Sequence, residues 1–395
     1  MELTATKYKE TEIGLIPEDW DLVSFDKVFT FHSASNYSKA QMSDDGEVGC
    51  IHYGLIHAIP STQYNLKNGI KYYVSSDQAK YDIVRDGDVI MVDASEDEEG
   101  VNKSVEVCGI GNKKYISGLH TYLLRDKNGS LADNFRGILL NSQLVKSQML
   151  QLAVGMKVFG VSKTQLIKVK LPLPPTLTEQ KTIAQVLSDM DALIQVLEKK
   201  IVKKKLIKKG VMQKLLTPKK GWSLKKLGNL CETITTGKLD ANAMVKDGAF
   251  RFYTCAKEYY YIDNYSFDTE ALLVSGNGAN VGYIHYYKGR FNAYQRTYVL
   301  SGFKQNILFI KQFMDKYLKI RIDEQKNDGN TPYIKMDTLT EMEIHYPQIE
   351  EQKQIVHILS DVDKEIVQLE EKLSKYQLAK QGMMQQLLTG KIRLV

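Results

Sequence analysis

The 395-residue sequence has little of several things that would otherwise fix its chemistry. Its four cysteines, Cys50, Cys108, Cys231 and Cys255, stand singly, with no C-x-x-C pair and no histidine at ligand spacing. A disulfide framework and a tetrahedral zinc site are thereby disfavoured, which leaves reduced structural thiols. No apolar run approaches the ~18 residues that a bilayer-spanning helix needs. Met1 to Glu12 is polar and charged, without a basic start followed by an apolar stretch. A cytoplasmic protein without membrane contact is the expectation. Enzyme motifs are missing too: there is no G-x-x-x-x-G-K-[ST], no H-E-x-x-H and no Asn-Pro-Pro-Phe-type tetrapeptide of amino-group methylation. The run from Gly276 to Gly282 resembles a dinucleotide fingerprint, but Val281 stands where the third glycine belongs and no helix is evident after it. Asp93, Glu96, Asp97, Glu98 and Glu99 crowd one loop; against a metal or nuclease site stands the plainer reading of a solvated tip. No metal ligand and no catalytic residue is assigned.

Charge of one sign is also scarce, with 53 basic against 47 acidic residues and a net +6. Between Thr178 and Lys220, however, eleven lysines face Glu179, Asp189, Asp191 and Glu198, so this one segment carries +7. A lysine-rich helix face is ordinarily solvated, and contact with DNA is the alternative.

What is present is a long internal repeat. The segment from Pro175 to Lys219 reads again, without gaps, from Pro347 to Lys391. Glu179-Gln180-Lys181 returns as Glu351-Gln352-Lys353, Leu187-Ser188-Asp189 as Leu359-Ser360-Asp361, and Leu215-Leu216-Thr217 as Leu387-Leu388-Thr389. Ile183, Leu187, Met190, Ile194, Leu197 and Ile201 step alternately by four and three, as do Ile355, Leu359, Val362, Ile366, Leu369 and Leu373. That spacing is a coiled-coil seam. Both seams continue through polar positions, Lys204 and Lys208 in one and Tyr376 and Lys380 in the other, which set register at some cost in stability. Thr176 and Glu179 form a capping-box pattern at the first start. About 40 helical residues make a rod of roughly 60 Å. Two stripes in one chain most simply bury each other, with on the order of 1.5–3 kcal/mol per buried side chain. Taken alone, the helices read as a stalk or dimerisation handle.

The rest of the chain, too long for one ordinary core, falls into two blocks with matching landmarks. Trp20-Asp21-Leu22 opens one and Trp222-Ser223-Leu224 the other, and a Tyr53 segment faces a Tyr253 segment. Short strands at Asp88–Val92 and Ala271–Val274 are followed by others at His120–Leu124 and Arg296–Leu300, then by helices at Phe135–Ala153 and Ile307–Ile322. This predicts an α+β fold: a first domain at 1–174, a spacer helix at 175–217, a second domain at 218–346 and a second spacer helix at 347–395. If the two helices pair as an antiparallel coiled coil, the domains are related by a pseudo-two-fold axis.

Binding chemistry is better represented than catalysis. The second block is rich in tyrosine, with Lys238, Tyr253, Lys257, Asn277, Asn280, Gln295, Arg296 and Lys335 in candidate loops. The first carries Asn36, Tyr37, Lys39, Tyr53, His57, Lys103, His120 and Lys157 at comparable places. Asn and Gln read adenine edges, Arg and Lys read guanine, and Lys and Tyr hold phosphates. For any one of them a surface or packing role is the competing reading, and Tyr122 and Tyr298, on strands, belong to the core.

With Ile16-Pro17-Glu18-Asp19-Trp20 ahead of the first block, Trp222 ahead of the second, and each block closing in Pro, Glu-Gln-Lys, Leu-Ser-Asp-x-Asp and Leu-Leu-Thr, the chain resembles the specificity subunits of type I restriction–modification systems over its whole length. The resemblance implies a non-catalytic subunit whose two target-recognition domains each read half of a bipartite site in double-stranded DNA. It implies two modification subunits bringing S-adenosylmethionine and restriction subunits using ATP and Mg, docked on the helices, whose second, partly apolar face includes Ile207 and Leu216. A rod of roughly 60 Å suits half-sites about one duplex turn, ~34 Å, apart. Two other readings stay open: a coiled-coil interaction scaffold without DNA specificity, and a fused DNA methyltransferase or nuclease.

Overall fold

The seam periodicity becomes two helices of 39 residues, Leu177–Leu215 and Ile349–Leu387. The computed structural model describes residues 7–95, 100–153, 159–325 and 333–394. The chain divides into two compact units, one of Met1–Glu198 with Lys372–Val395, the other of Lys199–Glu371. The division cuts both long helices near their middles, so each unit owns one half of each helix. No helix among the described residues is long and apolar enough to cross a membrane.

Within each unit the helix halves run antiparallel. In the first, Lys380 meets Asp191 at 2.5 Å and Arg393 meets Glu179, while Ile183, Leu187, Leu387 and Leu388 share one buried cluster. In the second, Lys205 meets Glu370 at 2.7 Å, Lys208 meets Asp363 at 2.6 Å and Lys219 meets Glu351 at 3.4 Å. There Leu216, Ile355 and Leu359 join the core. The polar interruptions of the seam now have a physical account. Lys208 and Lys380, equivalent in the repeat, each find a carboxylate on the opposed helix half, and Lys204 finds Glu365.

Each unit is built on a mainly antiparallel sheet with a helical layer on one face. The first unit's sheet runs Phe29–His32, Thr121–Asp126, Val89–Val92, Ser104–Cys108, Gln63–Asn65. The second runs Thr233–Thr236, Thr297–Ser301, Phe267–Ser275, Ile284–Ala293, Phe250–Tyr253, Tyr260–Ile262. Val89–Val92 is buried at every position because both faces of this central strand are covered, hence its unbroken apolar run. Gln63–Asn65 joins Ser104–Cys108 in parallel, and the parallel pairing of Phe250–Tyr253 with Ile284–Ala293 has its counterpart in Val48–Ile51 with Lys114–Ser117, in a separate three-stranded sheet of the first unit.

The frames share several backbone hydrogen bonds although the sequences differ. Thr121 lies opposite Val92, and Thr297 opposite Ser275. The next carbonyl, of Asp93 or Gly276, accepts the N–H of Val161 (3.2 Å) or Ile334 (2.7 Å). Tyr122 then donates its hydroxyl to the Val161 carbonyl and Tyr298 to that of Ile334, so both are structural. The repeated glutamine is explained the same way. Gln180 and Gln352 are buried, their side-chain oxygens accepting the N–H of Ala132 and Asn306 and their amides donating to the Pro174 and Pro347 carbonyls. A buried amide so satisfied fastens helix to domain.

Some details differ from expectation. The helix expected over Phe135–Ala153 is two, Phe135–Leu140 and Gln143–Leu152. Asn141 turns its amide onto the carbonyls of Ser104 and Gly137, and Ser142 caps the second piece by accepting from Val145 N–H. The capping box at Thr176 is half made: Thr176 accepts from Glu179 N–H, but the Glu179 carboxylate goes to Arg393. The glycine-rich run 276–282 leads into the strand Ile284–Ala293, which is no dinucleotide fold. Ile51, not Tyr53, takes the place of Tyr253, since their carbonyls accept from the equivalent Gly118 and Tyr294 N–H groups.

Candidate nucleic-acid interface

In the second unit, backbone hydrogen bonds gather five loops at one end of the sheet. Gly276 N–H donates to Arg296 O at 2.9 Å, Ile334 N–H to Gly276 O, Gln295 N–H to Leu239 O and Tyr294 N–H to Tyr253 O. Asn280 Nδ2 donates to Cys255 O at 3.1 Å. Glycine is required where these segments press together: a Cβ on Gly237 would lie 1.9 Å from Ala293 O, and one on Gly276 2.4 Å from Arg296 O. The result brings together Lys238, Lys257, Asn277, Asn280, Gln295, Arg296 and Lys335. Lys238, Lys257, Gln295, Arg296 and Lys335 are exposed, and the two asparagines are half-buried. Tyr253 sits among them only by its backbone. Its ring is buried against Phe291, and its hydroxyl accepts from Arg251.

The same end of the first unit gathers a different set. Asp93 N–H donates to His120 O and Tyr53 N–H to Leu119 O, while Ser35 N–H reaches Ser117 O and so brings in Asn36, Tyr37 and Lys39. Lys103 donates its ammonium to the His57 carbonyl at 3.0 Å. The exposed Tyr53 ring meets His120 edge-on at 5.5 Å and His57 at 6.0 Å. His120 Nδ1 lies 3.4 Å from Asp93 Oδ1. Burial raises the Asp93 carboxyl above its ordinary range, against the pull of His120. Burial also lowers the Lys103 ammonium, with Lys146 adding to the effect, so an arriving anion would strengthen its charge. Asn36 and Lys39 are exposed. Tyr37 is tied down, its hydroxyl donating to Gln78 O and its ring edge-on to Tyr81. Lys157 lies outside the described residues, as do Glu96–Glu99 of the acidic loop.

Two residues escaped the sequence reading, Asn102 at this end and Arg251 in the second unit. Asn102 is wholly buried in the left-handed region (φ 60°), and neither of its amide atoms has a hydrogen-bond partner. His120, with φ 55°, shares that strained backbone. Gly282, at φ 81°, takes the place of Asn102 in the second unit: Asn102 N–H donates to Val92 O and Gly282 N–H to Ser275 O. An asparagine matched to a glycine is the one signal that marked Asn102. Arg251, on a strand of the second unit, was missed because its strand neighbours are apolar.

Both ends gather amide, cationic and aromatic side chains, the chemistry that suits the edges of bases and the phosphates of a duplex. Residues 17–204 and 219–376 each match the family described as type I restriction modification DNA specificity domain. The chain is 26% identical to the type I restriction enzyme MjaVIII specificity subunit of Methanocaldococcus jannaschii, over 98% of this chain and 96% of that one. It is 38% identical to the EcoDI specificity subunit of Escherichia coli over 138 residues, 35% of this chain but only 30% of the relative. The fold is similar to that of a type I restriction–modification S subunit from M. genitalium, with a TM-score of 0.60 at 16% identity, covering 97% of this chain and 99% of the other. A chain from a study of complex assembly and conformational transition in the type I R-M system gives 0.61 at 14% identity, covering 95% and 99%. With two copies of the matched domain in one sequence, the chain belongs to the type I restriction–modification DNA specificity family.

Proposed function

We propose that the chain is the DNA-reading subunit of a type I restriction–modification enzyme, itself without catalytic activity. Each unit reads one half of a bipartite target in double-stranded DNA, and the paired helices hold the halves at a fixed spacing. The observation that carries this reading is one backbone frame used twice with different polar side chains at the same end. His120 stands in the first unit where Arg296 stands in the second, Lys103 where Tyr283 stands, and Tyr53 where Cys255 stands. A frame that keeps its hydrogen bonds while its loops change suits two different half-sites.

Partner subunits complete the activity. Two modification subunits bring S-adenosylmethionine for adenine methylation, and restriction subunits bring ATP-dependent cleavage with Mg. Their docking is favoured by apolar side chains that the helix pairing leaves exposed, among them Val196, Leu206, Ile207, Val367 and Leu378. Leu216 leaves that set, because it is fully buried in the second unit's core.

The test is selection from a randomised duplex pool with the full chain and its copurifying subunits. Two enriched blocks separated by a constant number of unspecified base pairs are expected. No enrichment, as a DNA-independent scaffold requires, would overturn the reading. Methyl transfer by the purified chain alone would favour a fused methyltransferase instead.

A further inference from the structure

Five of the second unit's aromatic rings form a continuous strip on one face of its sheet. Tyr283 meets His285 at 4.8 Å, His285 meets Tyr253 at 5.0 Å, Tyr253 meets Tyr259 at 6.1 Å, and Tyr259 meets Tyr261 at 5.6 Å. The strip starts at the candidate interface, since Tyr283 closes the loop that begins at Ser275 and the Tyr253 carbonyl binds the residue before Gln295.

In the middle of the strip sits Arg251. Its guanidinium carbon lies 4.2 Å from the centroid of Tyr259 and 4.6 Å from that of Tyr287, and it donates one hydrogen bond to the Tyr253 hydroxyl at 3.4 Å. Four other arginines of this chain are neutralised by carboxylates. Arg125 holds Asp88, Arg136 holds Glu106, Arg290 holds Asp268, and Arg393 holds Glu179 and Asp19. Arg251 pairs with no carboxylate among the described residues. A guanidinium stacked against rings keeps its N–H groups at the edge, in a planar fork that fits two oxygens of one anion. Tyr259, Tyr261 and Tyr283, all exposed, stand along the same strip.

We propose that Arg251, caged between Tyr259 and Tyr287, is a seat for a phosphodiester of duplex DNA, extending the second unit's interface beyond its base-reading loops. The proposal rests on the DNA-reading function above and adds to it a contact that sets affinity and register without sequence information. A phosphate is the anion the place favours, because the strip is continuous with loops carrying Lys238, Lys257 and Arg296. Its position on a strand rather than a loop separates it from the base readers.

The full-length chain is titrated with a labelled random-sequence duplex pool and with a duplex recovered by selection, over a range of salt. Arg251→Gln is expected to weaken both by about tenfold at low salt and to make the slope of log affinity against log salt shallower by about one. Arg251→Lys keeps the slope. Tyr259→Glu, at an exposed position that leaves the core untouched, sets a carboxylate against the guanidinium and reproduces the loss even where Arg251→Gln disturbs folding. Wild-type affinity and slope in both Arg251→Gln and Tyr259→Glu overturn the proposal, and so does a loss confined to the selected duplex, which would make Arg251 a base reader. If the unaltered chain does not distinguish the two duplexes, it is the DNA-reading function that fails instead.

Discussion

The two units share a frame but are closed by different means where the helix halves meet the opening tryptophan. In the second unit the backbone itself continues from Leu216 to Trp222, and Lys219 lies 5.8 Å over the Trp222 ring while reaching Glu351 at 3.4 Å in solvent. In the first, the corresponding link between Leu388 and Trp20 is made by side chains. Arg393 lies 5.9 Å over the Trp20 ring, holds the buried Glu179 by two bonds of 2.5 and 2.8 Å, and forks onto Asp19 at 2.9 Å twice. Tyr8 adds a bond to Gly390 O. One arrangement of carboxylate, cation and indole is thus used weakly where the chain supplies continuity and strongly where it does not. These contacts raise the Arg393 guanidinium above its ordinary range and lower the Asp19 carboxyl.

That contrast is open to experiment because the sequence has two tryptophans, and Trp20 and Trp222 report one unit each. The largest effect is expected from Arg393→Ala, which leaves a buried carboxylate unpaired and should cost the first unit about 3–5 kcal/mol. Lys219→Ala, breaking an exposed pair, should cost the second about 0–1 kcal/mol. Urea unfolding followed by fluorescence, with the other tryptophan replaced by phenylalanine, measures each. Equal losses would mean that the two closures are energetically alike.

Next in size, Leu187→Ala and Leu359→Ala remove equivalent, fully buried seam residues, each worth about 2–5 kcal/mol. The loss should appear in the unit that owns the residue and be similar in the two. The smallest effect concerns acid. Hydrogen bonds from the Ser33 backbone and hydroxyl, with His32 beside them, hold the Asp82 carboxyl down at about 2. A carboxyl lowered in the folded state stabilises above its unfolded value, near ~3.9, and that stability is lost as pH falls from about 4 towards 2. Asp82→Asn should therefore narrow the gap between the first unit's urea midpoints at pH 5 and pH 3, leaving the second unit unchanged. The gap is small because the group is exposed.

Much of this architecture was legible in the sequence because helix repeats and strand runs are local signals. The stepping from Ile183 to Ile201 defined the seam, and the unbroken run at Val89–Val92 gave a buried strand. What escaped depends on distant partners. The break at Asn141–Ser142 follows from the Ser104 carbonyl, far away in the chain. Leu216 reads like a surface leucine on the heptad wheel until Tyr317 and Phe309 close over it. Tyr253 reads like a surface aromatic, yet its strand faces the second unit's inner cluster. Arg251 looked unremarkable because its cage is assembled from Tyr259 and Tyr287, on other segments.

The central claim, that each unit reads its own half of a divided target, is tested most directly by repeating the pool selection with His120→Ala and with Arg296→Ala. Each change should cost about 1–3 kcal/mol of discrimination at bases in one enriched block, leaving the other block and the spacing between them as they were. If either substitution degraded both blocks, or shifted the gap, the units would not be independent readers.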